Sequence, residues 1–107
     1  MTPTAAIKAL DRQLVQHGDD VVYHVMTAGA PDAGTTVRAF VRGLKPDDLL
    51  SGLKQGDRKV TLSPTSGVTP AEGHRLVIGG KTYRIDQPPE IIRMNSTVVR
   101  YNLIARG

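Results

Sequence analysis

Apolar residues along this chain follow two different periods. Near the N-terminus, Ile7, Leu10 and Leu14 recur at intervals of three and four, with Ala6 beside them. Lys8, Asp11, Arg12, Gln13 and Gln16 take the remaining positions. That spacing predicts an amphipathic helix over residues 4–17. Pro3 suits the first turn of a helix, and Thr2 supplies a capping hydroxyl. Gly18 is placed to end it. One narrow apolar stripe does not hold a helix in water, so the helix must dock on the rest of the chain.

From residue 20 onward the pattern changes to that of strands. Residues 21–26 are rich in β-branched side chains, and residues 28–34 hold Gly29, Pro31, Asp32 and Gly34, the composition of a loop. Residues 36–42 alternate, with Val37, Ala39 and Val41 on one face and Arg38, Phe40 and Arg42 on the other. The two runs predict a hairpin with a long tip. Residues 46–50 read as a short helical start with acids near its positive end, limited by Gly52 and Gly56. A strand over 59–63 and a loop over 64–73 follow. Leu76, Val77 and Ile78 then lead through Gly79-Gly80 into Thr82, Tyr83, Arg84 and Ile85, which is a tight-hairpin signal. Pro88-Pro89 breaks the chain, and residues 97–105 form the last predicted strand. There Val99, Tyr101 and Leu103 oppose Val98, Arg100, Asn102 and Ile104. The fold class expected is mainly β: a small barrel-like or sandwich domain of about six short antiparallel strands with an N-terminal helix. It forms one domain over 1–107, with the helix at 4–17 and the β domain at 20–107.

Length and composition agree with one ordinary core. The chain has 107 residues, of which 39% are hydrophobic and 22% charged. No run approaches the roughly 20 apolar residues of a membrane helix, so no membrane partner is expected. The first residues lack the basic-then-apolar pattern of a secretory signal, and folding in the cytoplasm is the expectation. Cysteine is absent, which excludes disulfides, thiolate catalysis and cysteine-bound zinc. The net charge of +4 permits a polyanionic partner, yet the basic residues are scattered and form no block.

Candidate chemistry is sparse. Gly80-Lys81-Thr82 has the ending of a phosphate-binding loop, but Arg75 stands where that loop needs its other glycine, and the segment joins two strands. Arg38, Phe40 and Arg42 form the one candidate contact for a nucleic acid or a protein partner. An exposed ring between two arginines suits either, although the chain has one Phe, three Tyr and no Trp and so lacks a base-stacking platform. His17, His24 and His74 stand alone, without metal-ligand spacing. The acidic doublets Asp19-Asp20 and Asp47-Asp48 sit beside turn and cap signals. Ser51, Ser63, Ser66 and Ser96 lack the context of a nucleophile. The expectation is no enzyme, no cofactor and no metal.

A longer pattern then matters. Residues 37–43 read Val-Arg-Ala-Phe-Val-Arg-Gly, followed by Pro46-Asp47-Asp48-Leu49 and by Gln55-Gly56-Asp57-Arg58-Lys59-Val60. Residues 73–85 contain Ile78-Gly79-Gly80-Lys81-Thr82-Tyr83, and residues 101–107 close the chain with Tyr-Asn-Leu-Ile-Ala-Arg-Gly. Over residues 20–107 this layout resembles the small head–tail joining, or head-completion, proteins of lambda-like tailed phages and prophages. The resemblance implies an N-terminal helix leading into a compact β-barrel-like domain, with no catalytic residues. It implies assembly at the head–tail interface of the virion, formed in the host cytoplasm. The partners implied are portal, connector or tail proteins and further copies of the chain in a ring, around a bore that holds DNA. Residues 28–34, 45–56 and 64–73 are the loops expected to meet neighbours. The alternatives are a small basic nucleic-acid-binding β-barrel, or a minor tail or tail-terminator component.

Overall fold

A computed structural model of the chain describes residues 2–27, 29–43 and 57–107. The short helical start expected at 46–50 lies outside the described residues. Helix α1 spans Pro3–His17. Thr2 caps it as the spacing predicts, its hydroxyl accepting from the Ala5 N–H at 3.1 Å. Leu10 and Leu14 are the buried stripe. Gly18 ends the helix, but in extended rather than left-handed backbone. Glycine is needed there for space: a Cβ would lie 2.5 Å from the Leu14 carbonyl oxygen and 3.2 Å from that of Ala39.

Among the described residues nine strands follow: β1 (Asp19–His24), β2 (Met26–Thr27), β3 (Ala30–Pro31), β4 (Thr35–Arg42), β5 (Arg58–Leu62), β6 (Arg75–Ile78), β7 (Lys81–Ile85), β8 (Glu90–Met94) and β9 (Thr97–Arg106). β1 and β4 pair antiparallel, from Asp19 opposite Ala39 to Tyr23 opposite Thr35. That is the predicted hairpin, and β2 with β3 forms a small ladder in its tip. Asp32 organises the tip by accepting from the Val25 N–H at 3.2 Å and the Gly34 N–H at 2.9 Å.

The large sheet closes on itself. Its strands run β5-β4-β1-β6-β7-β9, and β5 also pairs with β9, so six antiparallel strands form a barrel rather than a sandwich. Period-two alternation fills it. Val21, Tyr23, Val37, Ala39, Val60, Leu62, Leu76, Tyr83, Ile85, Tyr101, Leu103 and Ala105 are all buried in one cluster. α1 lies against β9 and β4. After β5, a 3-10 turn at Pro64–Ser66 is capped by Ser63. The hydroxyl of Thr65 in that turn reaches both carboxylate oxygens of Asp11 on α1 at 2.9 Å.

Strand β9 holds the closure together. Tyr101 faces Leu62 on one edge and Ile91 on the other. Ala105 likewise faces Arg58 and Ile85. One edge of β9 therefore carries β5, and the other carries β7 and then β8. The Gly79-Gly80 hairpin is as expected, with φ of 58° and 83°. The β8–β9 hairpin departs from expectation, because Pro88-Pro89 read only as a break. Its turn residues Asn95 and Ser96 take φ of 51° and 67° without being glycine. An irregularity between Ile92 and Arg93 shifts the register by one residue. Among the described residues, no helix is long and apolar enough to cross a membrane.

Candidate functional site on the outer face of the barrel

Arg38, Phe40 and Arg42 do share the outward parity of β4, but the structure does not gather them into one exposed cluster. Arg38 is engaged by the fold. Its Nε donates to the Leu14 carbonyl and one terminal nitrogen to the Val15 carbonyl, both at 3.1 Å. The other terminal nitrogen donates to Asp20 at 3.1 Å. The guanidinium thus ties down the last turn of α1, adding a second donor to the Leu14 carbonyl, which also accepts the Gly18 N–H at 2.9 Å, and a donor to the Val15 carbonyl. Phe40 is half-buried opposite Thr61. Arg42 is exposed opposite Lys59, and donates to the Gly43 carbonyl at 3.2 Å. It lines a groove of about 530 Å³ with Lys59, Thr61, Glu90, Asn102 and Ile104. Inside that groove the Thr61 hydroxyl donates to Asn102 at 3.1 Å, and the Asn102 amide donates to Glu90 at 3.0 Å.

A second grouping arises only from strand register. His24 stands opposite Arg75, Arg75 opposite Arg84, and Arg84 opposite Arg106. Residues directly opposite share a face, so these side chains form one row across β1, β6, β7 and β9. Two carboxylates fix half of it. Asp57, only 1% exposed, accepts from the Nε and one terminal nitrogen of Arg106 at 3.1 and 3.0 Å. Asp86 bridges Arg106 at 2.7 Å and Arg84 at 2.8 Å. The Asp57 hydrogen bond is the chief reason that the Arg106 pKa is raised above its ordinary value. Arg75, Thr82, Tyr83, Arg84, Arg106 and Gly107 line a groove of about 340 Å³. Lys81 flanks it, its ammonium 5.1 Å from the Tyr83 ring centre. The alternation of β7 shows that Arg84 points outward. Nothing in local sequence shows that Arg75 and Arg106 stand beside it.

The third polar feature is internal. The Tyr23 hydroxyl lies 2.5 Å from His74 Nδ1, and the two rings meet edge to face at 5.5 Å. Burial pushes the Tyr23 pKa up to about 12, against the lowering effect of a hydrogen bond with the Ala71 backbone. This pair joins β1 to the loop before β6. Among the described residues, no group of three or more His, Cys, Asp or Glu side chains stands ready to hold a metal ion. Fold and surface together define a closed, six-stranded antiparallel β-barrel protein with a packed interior and shallow polar grooves outside. Compared with known families and with curated proteins, the sequence matches none.

Proposed function

We propose that this chain is a structural virion assembly protein that joins the head of a tailed phage, at its portal or connector, to the tail. The observation that carries the reading is the architecture: an N-terminal helix leading into a closed barrel, with the Gly79-Gly80 hairpin and a long final strand completing it. This is the arrangement that the resemblance to head–tail joining proteins implies. The barrel supports such a role physically. Its interior is filled by side chains such as Tyr23, Leu62 and Leu76, which leaves the outer surface and the loops for recognition. A closed sheet also gives a ring subunit a body that does not deform as neighbours dock. The partners in this reading are portal, connector or tail proteins and further copies of the chain, assembled in the host cytoplasm and placed at the head–tail interface.

Electron microscopy of lysates from a phage or prophage lacking the chain tests this. Filled heads beside separate, complete tails are the expected result. Normal infectious particles would overturn the proposal. Complete heads with missing or malformed tails would also overturn the joining role and move the chain into the tail.

A further inference from the structure

Arg75, Arg84 and Arg106 stand in register on the outer face, Arg84 and Arg106 against Asp57 and Asp86, while Lys81 lies nearby over the Tyr83 ring. Both carboxylates are directed to Arg84 and Arg106. Among the described residues, no ion pair reaches Arg75, which is exposed. Two cross-strand pairs in this row are therefore arginine opposite arginine. Like charges directly opposite destabilise a sheet. Here two acids hold Arg84 and Arg106 in place and, with Asp32 turned to His24 at 3.7 Å, leave Arg75 as the arginine of the row without an ion pair among the described residues, which is an arrangement suited to an anion. Neighbouring strands are about 4.8 Å apart, so the three arginines span about 10 Å in a line. A single small anion wants converging donors, whereas a line of cations suits a chain of phosphates. Thr82 lines the same groove. Tyr83 is only 6% exposed and offers no stacking platform, so bases go unread.

We propose that the Arg75–Arg84–Arg106 row is a sequence-independent contact site for the phosphate backbone of duplex DNA. Arg106, gripped by Asp57, positions the row, and Arg75 and Arg84 make the contacts. The proposal rests on the row itself and stands apart from the virion role. It also moves the DNA contact from β4, where Arg38 serves the helix, to β6, β7 and β9.

The test is fluorescence anisotropy of the full chain with a labelled random-sequence duplex, over a range of salt. Arg75→Ala, Arg75→Gln, Arg75→Glu and Arg93→Ala are compared with the unsubstituted chain. Arg93 is an exposed arginine on β8, outside the row. The expected result is a linear fall of log affinity with log salt. Its slope should shrink by about 0.9 in Arg75→Ala and Arg75→Gln. Arg75→Glu should weaken binding on the order of tenfold at low salt, while Arg93→Ala leaves it unchanged. The glutamine variant keeps much of the side chain, so it gives the answer should alanine lower stability, and thermal melts confirm folding of each variant. No binding to DNA at low salt would overturn the proposal, as would Arg75 variants that bind like the unsubstituted chain. Competition by poly-glutamate of matched charge as strong as that by unlabelled DNA would overturn the phosphate assignment and point to an acidic protein surface.

Discussion

Tyr23 is wholly removed from solvent, and its hydroxyl has His74 as its side-chain partner. Removing the hydroxyl in Tyr23→Phe leaves the His74 nitrogen without that partner, and is expected to cost about 1–2 kcal/mol. A pH effect follows from the pKa of about 12, against an ordinary value of 10.0. The fold favours the neutral phenol, so its contribution is fully present below the ordinary value. It is lost as pH rises from there through the folded value. Urea titrations at several pH values should show the unsubstituted chain losing stability more steeply than Tyr23→Phe across that window. Parallel curves would remove the claim. Little of this pair was legible in the sequence. Tyr23 read as one residue of a β-rich run, and His74 as a lone histidine. Their 51-residue separation in the chain is closed only by the pairing of β1 with β6.

At the scale of elements, the periodic segments were the legible ones. Helix α1, the β1–β4 hairpin and the Gly-Gly hairpin each carry their own local signal, and each forms where that signal lies. β8 carries none: Glu90-Ile91-Ile92-Arg93-Met94 does not alternate, and its turn uses Asn95-Ser96. The outward parity of Arg38 was also legible. Its role was not, because the end of α1 reaches it only after the helix docks. Arg38→Ala should loosen α1 from the barrel, at a cost of about 1 kcal/mol. Hydrogen exchange should quicken at the helix amides while the amides of β6 and β7 keep their protection. Arg38→Lys should restore only part of the loss, since a single ammonium does not reproduce the fork. Equal exchange in all three proteins would show that the tether contributes nothing.

For the molecule as a whole, alternation specified which faces turn inward but left barrel and sandwich both open. Closure was settled by β9, whose register brings β5 to one edge and β7 to the other. The arginine row was out of reach for the same reason, since it exists only when the β6–β7 and β7–β9 registers hold at once. Leu103 lies in the middle of this closure and is 1% exposed. Leu103→Ala should therefore lower stability by about 2–5 kcal/mol, a large share of the 5–15 typical of a domain. Urea unfolding should remain a single transition at a lower midpoint. A separate early transition would mean that the barrel does not unfold as one unit. The place of β9 in the chain also orders events in time. Strands β1 to β7 are made first, and at that stage β5 and β7 each present an edge that only β9 will cover. During synthesis, residue 106 must leave the ribosome before the barrel can shut, and until then the nascent chain is an open sheet with two sides available to the wrong neighbour.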